Sequence, residues 1–203
     1  MSKLYAQQKG NENFDMTPSD FKLCIGVILL SGYNPVPQKR MYWENSDDVR
    51  NDIVASAFPY KRFEELVKHI HLADNTKLDH SDKMAKLRPL IDRLNVNFLK
   101  LWPASQNVNV DESMISYYGR HSSKQFIQNK PIRYGYKVWC LNTPPGYLIQ
   151  YNPYRGVGTD DIRPELGMGG SVVVDLLCKL PAKCYNVYFD NLFTSLPLIE
   201  TLK

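Results

Sequence analysis

Two aspartates that each end a short apolar run could together bind a divalent cation. Asp111 follows the run Asn107-Val-Asn-Val, and Asp190 follows the run Asn186-Val-Tyr-Phe. Runs rich in Val, Tyr and Phe that stop at a polar residue are typical of β-strands. Two carboxylates on neighbouring strands can grip a cation between their oxygens, and metals bridged in this way cut and join phosphodiester bonds. The alternative is that each Asp is an ordinary strand-end turn residue.

The segment after Asp111 combines positive charge with aromatic rings. Between Ser113 and Thr159 there is no Asp or Glu, although the whole chain has a net charge of only +4. A surface that carries only positive charge, with aromatic rings between the cations, is suited to a polyanion whose bases can stack on the rings. The alternative is a β-meander in which the rings are core residues and cross-strand pairs, and we expect this for about half of them.

Composition limits the class of protein. With 203 residues and 43% hydrophobic residues, the chain can bury a core. Its longest nearly apolar run, Leu23 to Leu30, is too short to span a bilayer, and its N-terminus has no apolar signal region. The four cysteines form no CxxC pair, which predicts reduced thiols in an intracellular protein and no zinc motif.

Helices are predicted in the first half of the chain and strands in the second. Thr17 and Pro18 can start a helix over 21–30, Asp47 and Asp48 a second, 63–70 a third, and 84–101 a fourth in which Pro89 is a kink or a restart. Strands are predicted over 107–112, 133–141, 147–152 and 185–190, with helices over 171–180 and after Thr194. The boundary at 102–106 divides a helical region, 1–104, from a sheet domain, 105–203.

The order of these elements predicts an α+β fold: a helical region followed by a partial ribonuclease H-like mixed sheet. Three meandering strands, a helix, a returning strand and a helix are the order of that architecture. Its first and fourth strands lie side by side at the centre of the sheet. We therefore expect Asp111 and Asp190 to meet at one edge of the sheet.

Several motifs, in order along nearly the whole chain, resemble the piggyBac transposase family and its domesticated descendants. They include Val110-Asp-Glu-Ser-Met-Ile115, Gln128-Asn-Lys-Pro-Ile-Arg-Tyr-Gly-Tyr-Lys-Val-Trp139, Tyr188-Phe-Asp-Asn-Leu-Phe-Thr-Ser195 and, upstream, Asp82-Lys-Met-Ala-Lys-Leu-Arg-Pro89. The resemblance implies a catalytic domain with three aspartates, in which Asp111 and Asp190 are the first two catalytic and metal-binding residues. The third is expected beyond Lys203, as is a cysteine-rich zinc-binding domain.

The same resemblance implies Mg²⁺ or Mn²⁺ as cofactor, DNA at transposon ends or in chromatin as partner, and location in the nucleus. A homodimer is left open, and no membrane association is expected. Glu112, the next strand residue after Asp111, should point to the opposite face and take no metal role. Lys130, beside Pro131, fits a solvated loop lysine as well as a DNA contact. The candidate DNA-binding residues are Arg120, Lys124, Lys130, Arg133 and Lys137.

Three functions remain open at this stage. The chain is a fragment of an active transposase that needs a downstream carboxylate, or a transposase-derived protein that binds DNA without catalysis. The third alternative is a decayed remnant without function. The slight preference is for DNA binding without catalysis in these 203 residues.

Overall fold

Two compact units, Met1–Lys77 and Leu78–Lys203, make up the chain in a computed structural model. The structure describes residues 1–156 and 162–203. The expected start of a catalytic domain near residue 105 stays a prediction; by their contacts, the residues from Leu78 onward group with the sheet. No helix in the described ranges is long and apolar enough to cross a membrane.

The first unit is helical, as predicted. Its helices are α1 (Ser2–Gln8), α2 (Pro18–Tyr33), α3 (Asp52–Ala57) and α4 (Tyr60–His69), with a 3₁₀ helix at Lys39–Trp43. Helix α1 and the 3₁₀ helix were not predicted.

Capping determines where two of these helices begin. The Thr17 hydroxyl accepts from the Asp20 N–H at 3.1 Å, and the Asp20 carboxylate accepts from the Thr17 N–H at 3.0 Å. This reciprocal capping confirms the predicted start of α2. The second predicted start, at Asp47 and Asp48, is wrong: α3 begins at Asp52, because the side chain of Asn51 accepts from the Val54 N–H.

In the second unit, helix α5 (Arg88–Leu101) begins later than the apolar periodicity predicted. Pro89 lies in its first turn, where a missing N–H costs nothing, so this proline marks a restart of the helix. Met84 is buried but lies in the preceding turn.

A mixed sheet forms the centre of the second unit. Its strands are β1 (Asn107–Ser116), β2 (Lys124–Phe126), β3 (Tyr134–Asn142), β4 (Leu148–Pro153) and β5 (Asn186–Phe189), and the remaining helices are α6 (Gly167–Leu177) and α7 (Leu196–Thr201). Strand β3 pairs antiparallel with β1, β2 and β4, whereas β1 pairs parallel with β5.

The predicted fold class is confirmed, with one additional strand. Strand β2 is only 3 residues long, too short to show an alternating pattern, and it pairs with the first residues of β3. Four strands therefore precede α6 instead of the predicted three. The parallel pairing of β1 with β5 is the neighbour relation that the ribonuclease H-like order predicted.

Helix α6 covers one face of the sheet. Val173 and Leu176 of α6 lie in one buried cluster with Val108 and Val110 of β1. At Gly169 a Cβ atom would lie 2.7 Å from the carbonyl oxygen of Leu192, so only glycine allows this close approach of α6 to the segment after β5. The crossover from β4 to β5 is thus packed tightly onto the core.

An ion pair fixes the turn before α5. Arg88 donates to the two oxygens of Asp82 at 2.7 and 3.0 Å, and the Met84 N–H donates to the same carboxylate at 2.9 Å. The hydrogen bond from Arg88 and, with it, that from Met84 keep the pKa of Asp82 below its ordinary value although burial opposes this.

Replacing Asp82 by Asn removes this charge pair and leaves the Arg88 guanidinium without a counter-charge. We expect a loss of about 2 kcal/mol in the free energy of unfolding at neutral pH. Because the folded pKa of Asp82 is lowered, this contribution is present above its unfolded pKa of 3.8 and is lost as the pH falls through the lower folded value. Urea unfolding followed by the fluorescence of Trp102 and Trp139 measures it.

The matched control is Asp92→Asn, which removes an exposed carboxylate from α5. We expect a change within about 0.5 kcal/mol. Equal losses for the two variants at neutral pH would contradict the role assigned to the Asp82–Arg88 pair.

Candidate functional site

Parallel pairing of β1 with β5 brings the two predicted aspartates to neighbouring positions. The register runs from Asn107 opposite Asn186 to Val110 opposite Phe189, so Asp111 and Asp190 follow at the next position of each strand. Val110 is buried and Phe189 packs against the same core, so alternation directs the side chain of Asp111 to the other face. Both aspartates are exposed. The structure therefore brings together the pair that the sequence predicted.

Each aspartate is held by a backbone N–H close to it. Asp111 Oδ1 accepts from the Glu112 N–H at 2.8 Å, and Asp190 Oδ1 accepts from the Leu192 N–H at 2.9 Å. The bond to Leu192 is an Asx-type turn that ends β5. One oxygen of each carboxylate is thus fixed by the backbone, which orients the other.

Strand β3, which pairs with β1 on the side opposite β5, supports Asp111 rigidly. Asp111 is the register partner of Cys140 in β3, and Cys140 is buried. Burial, with the charge of Asp111 adding to it, raises the pKa of the Cys140 thiol to about 11. Cys140 is therefore a neutral packing residue beside the aspartate.

Glu112 points away from Asp111, as strand alternation predicts. Its carboxylate is largely buried, and its Oε1 lies 2.8 Å from Nζ of Lys130. Burial by itself would raise the pKa of Glu112, but the hydrogen bond and charge of Lys130, together with the charge of Lys137, leave it lowered. The structure thus pairs Lys130 with a carboxylate beside the candidate site.

Lys137 is a second cation, and its charge interacts with Glu112 and Asp190. Its Nζ lies 3.9 Å from the ring centroid of Trp139, a cation–π geometry. Burial lowers the pKa of Lys137, opposed by the charges of Glu112 and Asp190 and reinforced by that of Lys130. Lys137 is therefore within electrostatic range of the same group of carboxylates.

The other candidate DNA-binding residues surround the short strand β2. Lys124 donates to the carbonyls of Tyr118 and Gly119 at 3.4 and 3.3 Å, and its Nζ lies 5.4 Å from the Tyr134 ring. Arg120 and Arg133 are exposed, and their side chains make no hydrogen bond or ion pair among the described residues. We call this region the hairpin surface; it consists of Tyr118, Arg120, Lys124, Phe126, Arg133 and Tyr134.

The aromatic rings divide between core and surface along β3. Trp139 and Tyr154 are core residues, which agrees with the expectation that part of the rings would be buried. Phe126 and Tyr134 instead form an exposed pair with ring centroids 4.7 Å apart. Tyr118, at 85% exposure, presents a further ring. The hairpin surface therefore offers cations and ring faces together.

The donors at the aspartate pair suit a hard divalent cation. Proteins usually supply only one or two carboxylates to a Mg²⁺ site, because that ion keeps several waters and takes phosphate oxygens as further ligands. Within residues 1–156 and 162–203, no group of three or more His, Cys, Asp or Glu side chains converges as a metal site. The residues present thus fit a cation held by two carboxylates, with its other ligands supplied by water or substrate.

Comparison with known proteins identifies the family. The sequence matches the family described as Transposase IS4 over residues 1–203. The chain belongs to this family of piggyBac-type transposases. It is 43% identical over 204 residues to human piggyBac transposable element-derived protein 3, and 41% identical over 202 residues to human piggyBac transposable element-derived protein 2. These alignments cover 99% and 98% of this chain but only 34% of each relative.

The fold comparison agrees with the sequence comparison. A piggyBac transposase, solved by cryo-EM as a synaptic complex with hairpin DNA, superposes with a TM-score of 0.80 at 23% identity. The match covers 93% of this chain and 40% of that chain. The transposase resemblance and the fold class are therefore confirmed, while the roles of the individual site residues stay predictions.

Sequence reasoning missed the pairing of Lys130 with Glu112. The two residues are far apart in the chain, and Lys130 was interpreted as a DNA contact or a solvated loop residue. Only the folded structure shows that the loop before β3 returns to Glu112, where Lys130 Nζ lies 2.8 Å from Oε1. No local pattern could have indicated the pair.

The burial of Cys140 predicts which thiols react in the folded protein. At pH 8 we expect a disulfide reagent to modify only the exposed Cys178 and Cys184, because Cys24 and Cys140 are buried and burial raises their pKa values. All four thiols should react after unfolding in guanidinium.

The matched control is Cys140→Ser. It should leave the rapid reaction of the native chain unchanged and remove one thiol from the unfolded count. Rapid modification of Cys140 in the native chain would contradict the packed support beside Asp111.

Proposed function

We propose that the chain is the DNA-binding part of a transposase-derived protein, in which Asp111 and Asp190 supply two carboxylates of a divalent-metal site. The observation that carries the proposal is the β1–β5 register, which sets the two carboxylates side by side. Mg²⁺ or Mn²⁺ fits their oxygen donors. Divalent cations held there would supply activation of a water or a DNA 3′-hydroxyl and stabilisation of the leaving oxygen.

The chain's own residues supply positioning and charge. Asp111 and Asp190 hold their oxygens by backbone hydrogen bonds, so little reorganisation accompanies binding of a cation. Lys130 and Lys137 supply positive charge that acts on the site: Lys130 interacts electrostatically with both aspartates and Lys137 with Asp190. The hairpin surface would bind the DNA backbone and stack on exposed bases.

Strand cleavage and transfer are the secondary part of this proposal. The chain spans about a third of the length of the curated relatives it matches, and two carboxylates lie at the candidate site where the family resemblance implies three. DNA binding by these residues is the primary proposal, and a contribution to active transposition is the second. Location in the nucleus and assembly with a second copy belong to the same proposal.

DNA binding by the hairpin surface predicts a characteristic salt dependence. A fluorescent duplex titrated with the chain at several salt concentrations should give a linear fall of log K with log salt. Arg120→Ala and Arg133→Ala should each reduce the slope by about 1, because each removes one phosphate contact.

Lys179→Ala, which removes an exposed lysine after α6, is the control and should leave the slope unchanged. Phe126→Ala should weaken binding of single-stranded DNA more than binding of duplex, because only unpaired bases stack on a ring. Affinity that does not depend on salt, or equal effects of the arginine variants and the control, would contradict the proposal.

A further inference from the structure

Glu112 is a buried carboxylate of which one oxygen has no hydrogen-bond partner among the described residues. Its side chain is 10% exposed, and Oε1 accepts from Lys130 Nζ at 2.8 Å. Its Oε2 is buried and has no hydrogen-bond partner in the described part of the chain. On the same face of β1 lie Val108 and Val110, both fully buried in the core.

Stability of the fold does not explain a glutamate at this position. A buried carboxylate loses its hydration, and an unsatisfied oxygen adds to that loss. Apolar residues of similar size in place of a buried ion pair are often neutral or stabilising. The surroundings of Glu112, with Trp139 directly opposite in the register, would accept such a residue. Its carboxylate therefore requires a reason outside packing.

The contact with Lys130 accounts for the carboxylate, because Glu112 fixes the ammonium of a lysine whose backbone is fixed as well. The loop that carries it is closed by the Ile127 N–H, which donates to the Arg133 carbonyl at 2.9 Å, and Pro131 restricts the backbone after it. The hydrogen bond to Glu112 raises the pKa of Lys130, with the charges of Asp111 and Asp190 adding to it against burial. The ammonium is thus held by one carboxylate and lies in the field of two others.

We propose that Glu112 is a positioning residue that holds the Lys130 ammonium beside the Asp111–Asp190 pair, where Lys130 contacts a DNA phosphate. This inference rests on the proposed function and deepens it by assigning one phosphate contact to the site itself. Glu112 contacts neither cation nor DNA and acts through Lys130. The ammonium keeps hydrogen-bonding capacity, because a lysine has three N–H donors and Glu112 uses one of them.

Positioning matters here because lysine is long and flexible. Ordering its side chain costs conformational entropy. Because the hydrogen bond to Glu112 already orders the side chain in the free protein, DNA binding does not have to supply this free energy. Without Glu112, the carboxylates whose charges still act on Lys130 are Asp111 and Asp190. The freed ammonium would then neutralise the aspartate pair directly and compete with the phosphate for its own position.

The test measures how Glu112→Gln changes the affinity of the chain for a fluorescent DNA duplex. Removing a negative charge close to a polyanion should by itself tighten binding. Positioning predicts the opposite sign: we expect affinity to fall roughly threefold to tenfold, with little change in salt slope. Lys130→Met should weaken binding and reduce the slope by about 1.

The double variant separates positioning from a structural role. In the Lys130→Met background, Glu112→Gln should no longer weaken binding, because there is no ammonium left to hold. Lys130→Arg keeps the charge and should keep the slope. Glu165→Gln, at an exposed glutamate before α6, is the charge control and should leave binding unchanged or slightly tighter. Thermal melts of all variants report on folding.

Each outcome decides between the alternatives. Tighter or unchanged binding by Glu112→Gln, or equal weakening by this change in both backgrounds, would overturn the positioning role while DNA binding stands. An unchanged salt slope in Lys130→Met would overturn the phosphate contact. Absence of salt-dependent binding by the unmodified chain would overturn the proposed function and this inference with it. If Glu112→Gln fails to melt cooperatively, the slopes of Lys130→Met and Lys130→Arg decide.

Discussion

The parallel pairing of β1 with β5 is the constraint on which the candidate site depends. It joins residues from distant parts of the chain, and the side-chain amide of Asn186 reinforces it by donating to Asn107 at 2.9 Å. A parallel neighbour requires a crossover, which α6 provides on the apolar face of the sheet. The close approach at Gly169 fixes how that crossover packs. Burial of one face of β1 thus determines the register that sets Asp111 beside Asp190.

Around this pair, charge is arranged in alternating signs. The aspartates lie on one face of the strands. Glu112 lies on the other face, where its Oε1 is 2.8 Å from Lys130 Nζ and where the Lys137 ammonium lies 3.9 Å from the ring centroid of Trp139. A sheet that bound a polyanion by positive charge alone would not require a buried glutamate. An ion pair that only stabilised the fold would not require exposed aspartates beside it. Together these groups suit a reaction centre that receives both a cation and a phosphate.

Local sequence signals were sufficient to predict an element where one or two neighbouring residues determine it, as at a helix cap. The Thr17–Asp20 capping pair has a local cause and was predicted. For Pro89 both a kink and a restart were left open, and the structure shows the restart. The prediction that the first strand stops at 112, with Asp111 at its end, is wrong, because pairing with β3 extends β1 to Ser116. Strand β2 could not be predicted, because its three residues are extended only through pairing with β3. The start of α3 was misplaced because Asn51, and not the two aspartates upstream, caps the helix. The Lys130–Glu112 contact joins a loop residue to a strand residue, and no local pattern in the sequence determines it.

We propose that Asp111 and Asp190 hold one divalent cation between them. Substoichiometric Mn²⁺ added to the isotope-labelled chain would reveal such a site, because a paramagnetic ion broadens the NMR signals of nearby amides. We expect the signals of 110–112 and 188–191 to broaden together, and Asp111→Asn to abolish both effects. Broadening that persists in this variant, or that appears at only one of the two strands, would contradict the claim.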